Sequence, residues 1–467
     1  MRHQKVRHQN QLERLLNEYE VMSQKGAVSF HEEAVFMDMI DLLENGGQWH
    51  KAASLAEAAI TQHPFSADLY LRKAELLLNR NMIEECLVTI EQAEIFAPCN
   101  VNLRMLRAEL LSAKGAFIEA LEVLDQLKGK TNMEELSEIF LTEALIYEDL
   151  KDKPAMFRSL RRCLTTNPDN TEGSMKMLFL VEKCLLYKES IEFHNKLINK
   201  NAYNWHAWLN IGMAFRGLCK NHEAVEAFEF AFAINDQCTM AYLEAADLLL
   251  EMGEFERARL VYEVAIFNTQ ETPDLLSPLG YCHQLLGNYK VAIDYYERVL
   301  EFDKTDSDAH FHIGECAKAL HQWTQAIDAF KKAIKLSSHR EDYYAGLADA
   351  YFESNQLANA LSSYRRAANI GCDDVSYWLR YAYFLINIGQ LKSALRVLDK
   401  ADMYAGGTEI EYCRIACLYE MGKKNEALYK LSEALQSDYD IHTTLFDWQP
   451  HLADKADLLA VIKAFLP

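Results

Sequence analysis

Chemistry in this chain would have to come from two small groups of side chains. His310 and His312 lie two residues apart with Glu315 close by, donors of the kind that hold a divalent cation. In a helix, residues two apart point to different sides, so both imidazoles do not converge easily on one ion. Cys413 and Cys417 are four apart and could share a helical face. No His or further Cys pair follows them at ligand spacing, and the eleven cysteines form no C-x-x-C. The chain also lacks G-x-x-x-x-G-K-[ST], a strand-borne G-x-G-x-x-G, H-E-x-x-H and G-x-S-x-G. These groups read as packing residues. No catalytic, cofactor or metal site is expected, and the protein is expected not to be an enzyme.

The elements that would carry such residues explain the packing reading. Across Trp205–Cys238, Trp208, Ile211, Gly212 and Phe215 fall on one helical face, and Ala224, Phe228 and Ala231 fall on a face of a second helix. The pattern returns every 34 residues. The small residue of the first helix recurs as Gly212, Ala246, Gly280, Gly314, Ala348 and Ala382; the alanine of the second recurs as Ala224, Ala258, Ala292, Ala326, Ala360 and Ala394. An aromatic site reads Phe228, Tyr262, Tyr296, Phe330 and Tyr364, then Leu398. His310 takes the Trp208 position, while Cys282 and Cys316 share another. A fixed period of this length predicts stacked helix pairs, in which each unit supplies the wall its neighbour lacks.

With its Trp, small-residue, aromatic, Ala and Pro positions, this unit resembles the tetratricopeptide repeat. The resemblance covers roughly residues 33–442 and is greatest to stand-alone bacterial repeat proteins used as adaptors. It implies an all-α fold, a right-handed α-solenoid superhelix of about twelve helix–turn–helix repeats with helical caps at both ends. The expected organisation is a lead-in helix over 1–32, repeats 1–5 over 33–204, repeats 6–12 over 205–442 and a capping helix over 443–467. Leu12, Leu15, Leu16 and Tyr19 give the lead-in an apolar face, and Ser29 with Glu32 reads as a capping box for the first repeat helix. Repeats 3–5 are degenerate: a short insertion is expected near Lys128–Met133, and the fifth repeat puts Leu178, Ser190 and His194 at the small, alanine and aromatic positions. The twelfth repeat loses one residue before its turn. In the tail, Phe446, Trp448, Leu452, Leu458, Leu459, Ile462 and Phe465 can cover the apolar end of the stack.

Composition narrows the partners. Of 467 residues half are hydrophobic, a quarter charged and only eight are proline, a folded and mostly helical mixture. A formal charge of −21 opposes binding to nucleic acid or to an anionic membrane surface. The N-terminal sequence has no apolar run of signal-peptide length and no 18-residue apolar stretch follows, so a cytoplasmic location is expected.

In tetratricopeptide domains the first helices line the concave surface and their non-core positions touch the ligand. Carried onto this sequence, that implies ladders of outward residues: Asp274, Asp308 and Asp342; Leu243, Phe311 and Leu379; Met213, Tyr281, Glu315, Asp349 and Tyr383; and Arg216, Gln284, Lys318 and Phe352. Such a groove is acidic with aromatic and aliphatic patches, suited to a peptide or helix carrying basic and apolar side chains. The Lys and Asn clamp of chaperone-binding members is replaced by Leu71 and Glu75 in the second repeat and by Leu209 and Met213 in the sixth. The expected role is a non-enzymatic scaffold or adaptor. The alternatives are a sensor whose superhelix pitch changes on ligand binding and, weakest, a hydrolase or transferase built on the His and Cys positions.

Overall fold

A computed structural model describes residues 30–465 except Asn81 and Lys130, together with Leu16; the side chains of Asp447 and Trp448 are not described. The lead-in residues Leu12, Leu15, Tyr19 and Ser29 lie outside the described residues. Leu16 is described and packs against the first core cluster. The first repeat helix begins at Glu33 with Glu32 at its N-cap, which replaces the cap expected at Ser29.

Among the described residues the elements are helical throughout, paired as the period requires. The pairs are α1 Glu33–Asn45 with α2 Trp49–Gln62, α3 Ala67–Asn79 with α4 Ile83–Glu94, and α5 Val101–Ala113 with α6 Phe117–Leu127. Then come α7 Met133–Asp149 with α8 Lys153–Thr166, α9 Thr171–Cys184 with α10 Tyr187–Ile198, and α11 Trp205–Gly217 with α12 Asn221–Ile234. The later pairs are α13 Thr239–Glu251 with α14 Phe255–Asn268, α15 Pro273–Leu285 with α16 Tyr289–Phe302, and α17 Ser307–Ala319 with α18 Trp323–Leu336. Last are α19 Glu341–Glu353 with α20 Leu357–Ile370, α21 Val375–Asn387 with α22 Leu391–Tyr404, and α23 Thr408–Glu420 with α24 Lys424–Ser437. This is an all-α repeat solenoid. Chain contacts separate two compact units, Met1–Asn235 and Asp236–Pro467.

Local chemistry sets each boundary. Ser66, Asn100, Asn132, Asn170, Asn204 and Asp306 cap first helices by accepting from a backbone N–H of the opening turn. Pro64, Pro98 and Pro168 lie just beyond second helices, where they block continuation. Outside the α3–α4 turn, where Asn81 is not described, the turn inside each pair has one residue with positive φ. Glycine takes it at 47, 115, 253, 287, 389 and 422, but Lys151, Leu185, Cys219, His321 and Asn355 take it elsewhere. This ladder steps by 34 except across Gly115–Lys151, where α7 runs to 17 residues, and before Gly422, where Ala405–Gly407 is a shortened connection. The first lies beside the insertion expected near Lys128–Met133; the second lies ahead of the twelfth repeat, in the connection before α23, and not between its small residue and its turn as expected.

The core follows the small-residue ladder. Ala224, Ala258, Ala292, Ala326, Ala360 and Ala394 are fully buried, and so are Phe228, Tyr262, Tyr296 and Phe330. A Cβ added at Gly212 would lie 2.5 Å from the Phe228 ring, and one at Gly314 would lie 2.7 Å from the Phe330 ring. The aromatic of the second helix therefore rests directly on the first helix backbone. In the cap, Leu445, Leu452, Leu458 and Ile462 are buried with Tyr412, Ile415, Leu431 and Leu435, closing the last pair. No helix among the described residues is long and apolar enough to cross a membrane.

The fifth repeat keeps this geometry with a polar ring. His194 is buried at the aromatic position, where Nδ1 donates to the Ser190 carbonyl at 2.9 Å and Nε2 has no hydrogen-bond partner among the described residues. Burial pushes its pKa down to about 4.

Two outcomes are expected. Gly314→Val should lower unfolding free energy by about 1–3 kcal/mol in denaturant titration, because Phe330 cannot yield without disturbing both helices. For His194, the unfolded chain takes up a proton near the ordinary pKa of 6.5 while the folded chain resists until about 4. Its contribution is therefore complete above pH 6.5 and is lost as pH falls, by at most about 1.4 kcal/mol per pH unit. In thermal melts between pH 7 and 4.5, His194→Leu should show a shallower loss of Tm than the parent chain.

Candidate functional site

The cysteines and histidines that could do chemistry are structural in this fold. Cys413 and Cys417 are fully buried, and the Cys417 thiol donates to the Leu391 carbonyl at 3.2 Å. Burial pushes Cys413, Cys282 and Cys316 up to about 12, far from a reactive thiolate. His310 hydrogen-bonds the backbone of Lys304, six residues earlier. Trp208 Nε1 does the same to Ala202 at 2.9 Å, Trp378 Nε1 to Cys372 at 3.0 Å and the Tyr344 hydroxyl to Ser338 at 3.3 Å. This position thus pins the connection that leads into α11, α17, α19 and α21. His312 turns the other way and stacks on Tyr296, with centroids 5.0 Å apart and planes at 10°. Among the described residues no group of three His, Cys, Asp or Glu is arranged to hold a metal ion.

The strongest constellation is the first-helix face of the second unit. Neighbouring first helices touch there directly, α15 with α17, α17 with α19 and α19 with α21. Tyr281 approaches His312 at 5.8 Å, and Phe311 stacks on Tyr343 at 5.1 Å. Phe352 meets Phe384 edge-on at 5.4 Å. Carboxylates are interleaved with these rings. Asp308 accepts from the Tyr343 hydroxyl at 2.6 Å and has Arg340 at 3.6 Å, while Arg340 pairs with Asp342 at 2.9 Å. Lys318 joins Glu315 at 2.8 Å to Asp349 at 3.5 Å, and Arg380 lies 3.8 Å from Asp349.

The ladder residues divide accordingly. Met213 and Arg216 belong to α11 in the first unit, and the rest belong to the second unit. Asp274 and Tyr281 are exposed, as is Asp308, whose side chain is 60% accessible. Leu243, Gln284, Phe311, Glu315, Lys318, Asp342, Asp349, Phe352 and Tyr383 are half-buried. Leu379 requires a correction: it is only 4% exposed and packs in the core between α19 and α23, so it is no surface contact. Gln284 accepts from the Tyr296 hydroxyl at 3.2 Å. The carboxylates are not an open acidic stripe, because intrachain cations and phenols already engage four of them.

One functional pattern escaped the sequence reading. The Tyr364 hydroxyl donates to Asp349 at 2.6 Å, and Tyr262 donates in the same way to Asp247, in each case across 15 residues. Where the aromatic is Phe330, the equivalent first-helix residue is Glu315, which turns to Lys318 instead. Burial beside the carboxylate drives both phenols far above their ordinary pKa. An acid on the first helix matched to a tyrosine 15 residues later was the available signal.

With this geometry in view, the comparisons are direct. The family model described as tetratricopeptide repeat matches residues 37–85, 209–275 and 314–374, each falling on the helix pairs above. The chain contains tetratricopeptide repeats. A second model, described as anaphase-promoting complex, cyclosome, subunit 3, matches residues 259–333 within the same array. Among curated proteins, BBSome complex member BBS4 of Bos taurus is 26% identical over 174 residues, 37% of this chain and 31% of the relative. Its Mus musculus counterpart is 26% identical over 145 residues, 30% of this chain and 26% of the relative. The chain thus spans less than a third of the curated relatives it matches. Similar solved structures include YrrB, described as a TPR protein with an unusual peptide-binding site (20% identity, 39% of this chain and 95% of that one, TM-score 0.36). Others are the APC/C hetero-tetramer Cut9–Hcn1 (13%, 99% and 95%, 0.38) and a tetratricopeptide repeat protein from Parabacteroides merdae (17%, 60% and 97%, 0.39). Tetratricopeptide arrays serve in general as protein-interaction scaffolds.

Tyr364→Phe isolates the buried phenol–carboxylate contact. It should cost about 1.5–3 kcal/mol in denaturant titration, since Asp349 loses a charge-assisted bond while remaining half-buried. Phe330→Tyr, which adds a hydroxyl opposite a Glu315 already engaged by Lys318, should give no compensating gain.

Proposed function

We propose that the chain is a non-enzymatic scaffold whose second unit binds an extended or helical segment of a protein partner along α15, α17, α19 and α21. The observation that carries this reading is the unbroken row of first-helix side chains in which rings and carboxylates alternate. Tyr281, Phe311 and Phe352 offer apolar contact. Asp274 and Asp308 present carboxylates at the helix starts, where solvent access leaves room for a partner's Lys or Arg. Lys318, Arg340 and Arg380 already satisfy the deeper acids, so the partner that fits is moderately basic and apolar, anchored by side chains over the rings. The matched relatives are named as members of the BBSome complex, which supports a place for this chain in a multiprotein assembly.

Asp274→Lys, Tyr281→Ala and Asp308→Lys together test the groove without touching the Asp349–Tyr364 pair. On an array of peptides carrying basic and aromatic residues, the parent chain should capture a subset, and the triple variant should lose about tenfold or more in affinity for that subset. Equal capture by both, with unchanged thermal melts, would remove the groove from the account.

A further inference from the structure

Against a formal charge of −21, α8 is the most basic of the described helices. From Lys153 to Thr166, α8 contains Lys153, Arg158, Arg161 and Arg162 and no acid. Arg158, Arg161, Arg162 and Thr165 fall at i, i+3, i+4 and i+7, a single face. All three arginines are exposed, and none has an ion pair among the described residues. By contrast, Arg72, Arg259 and Arg414 each hold two or more carboxylates.

Rings hold this face in place. The Arg162 guanidinium lies 5.8 Å from the Phe140 centroid, and Arg161 lies 5.9 Å from Phe157 and 5.2 Å from Phe193. Such contacts fix the planes of the guanidiniums while leaving their N–H donors free to bind. The nearby acid on α10, Glu192, is hydrogen-bonded by Lys196 at 2.6 Å and feels the Arg161 charge only through space. Phe140, the three arginines, Thr165 and Thr166 line a surface pocket of about 410 Å³. The threonine hydroxyls donate to the Arg161 and Arg162 carbonyls.

We propose that this face of α8 binds a short segment of a partner protein rich in Asp and Glu. Planar guanidiniums on one face match oxyanions by paired N–H donors. Arg158 and Arg162 stand about 6 Å apart along the helix axis. Alternate side chains of an extended segment stand about 6.8 Å apart, so acids at every second residue can meet them in turn. An apolar side chain of the segment then covers Phe140. A nucleic acid fits less well: a long polyanion runs beyond the patch, within a Debye length of about 8 Å, into the field of a strongly acidic chain. This surface lies on α7 and α8 of the first unit and does not depend on the groove proposed above.

The test is fluorescence anisotropy of the full chain with a labelled Asp/Glu-rich peptide bearing one Phe. Parallel arms use the same peptide with Asn and Gln replacing the acids, a version with one phosphoserine among neutral residues, and a single-stranded oligonucleotide. The Asp/Glu-rich peptide should bind, more weakly as salt is raised; binding by the phosphoserine peptide alone would overturn the proposal. Arg158→Glu with Arg161→Glu and Arg162→Glu should weaken binding about tenfold or more, and the milder triple Gln variant should weaken it less. Arg80→Glu with Arg104→Glu and Arg396→Glu, the same change in net charge placed elsewhere, should leave it unchanged. The proposal is overturned if the neutral peptide binds as well, if the two Glu triplets act alike, or if the oligonucleotide binds more tightly than every peptide. It is also overturned if sedimentation shows the chain associating with itself through the same three arginines.

Discussion

Everything in this fold depends on how closely a second-helix ring can approach a first-helix backbone. Phe330 shows the limit. It is fully buried, and a Cβ at either Gly314 of its own repeat or Gly346 of the next would come within 2.7 Å of its ring. One side chain therefore sets the spacing within a repeat and between repeats. Where the ring is tyrosine the small residue can be alanine, as at Ala246 with Tyr262 and Ala348 with Tyr364, and the hydroxyl reaches past it to an acid. Packing density leaves little slack for other combinations.

That constraint explains why the fold could be read directly from the sequence. A fixed step in space needs a fixed step in sequence, so small residues and rings had to return every 34 positions. The insertion near α7 was visible for the same reason, whereas the lost residue was assigned to the twelfth repeat and lies in the connection before α23. The turns were less legible. Their positive φ is marked by glycine in only part of the ladder, because Cys219, His321 and Asn355 hold the same conformation once the two helices that flank them are packed. Tertiary contact sets the backbone there, and residue type no longer reports it.

The candidate site was legible in outline and opaque in detail. Which residues leave the core follows from the period, and Tyr281, Asp274 and Asp308 are exposed as the register requires. Leu379 was misplaced because α21 is buried on more than one side: Trp378, Leu379, Tyr381, Ala382, Phe384, Leu385 and Ile386 are all in its core faces. A helix enclosed by neighbours on both flanks has no clean amphipathic pattern to read. The charge state of the groove was hidden too. Arg340 and Arg380 come from loop and helix positions outside the ladders, and their effect on Asp308, Asp342 and Asp349 exists only in three dimensions.

The same comparison separates the roles of acids along the array. A carboxylate that accepts from a buried phenol, as Asp349 does from Tyr364, is committed to the core and holds its ring in register. One at a helix start with 60% of its side chain accessible, as Asp308 has, keeps most of its surface for a partner even while Tyr343 touches it. Net charge alone cannot distinguish them. The division also bears on the basic face of α8, where the logic is inverted: its arginines lean on rings rather than on acids, so the cost of stripping away an intrachain ion pair is absent when an anion arrives. In a chain so rich in carboxylates, three neighbouring guanidiniums without an ion pair are the basis for the acidic partner proposed for that face.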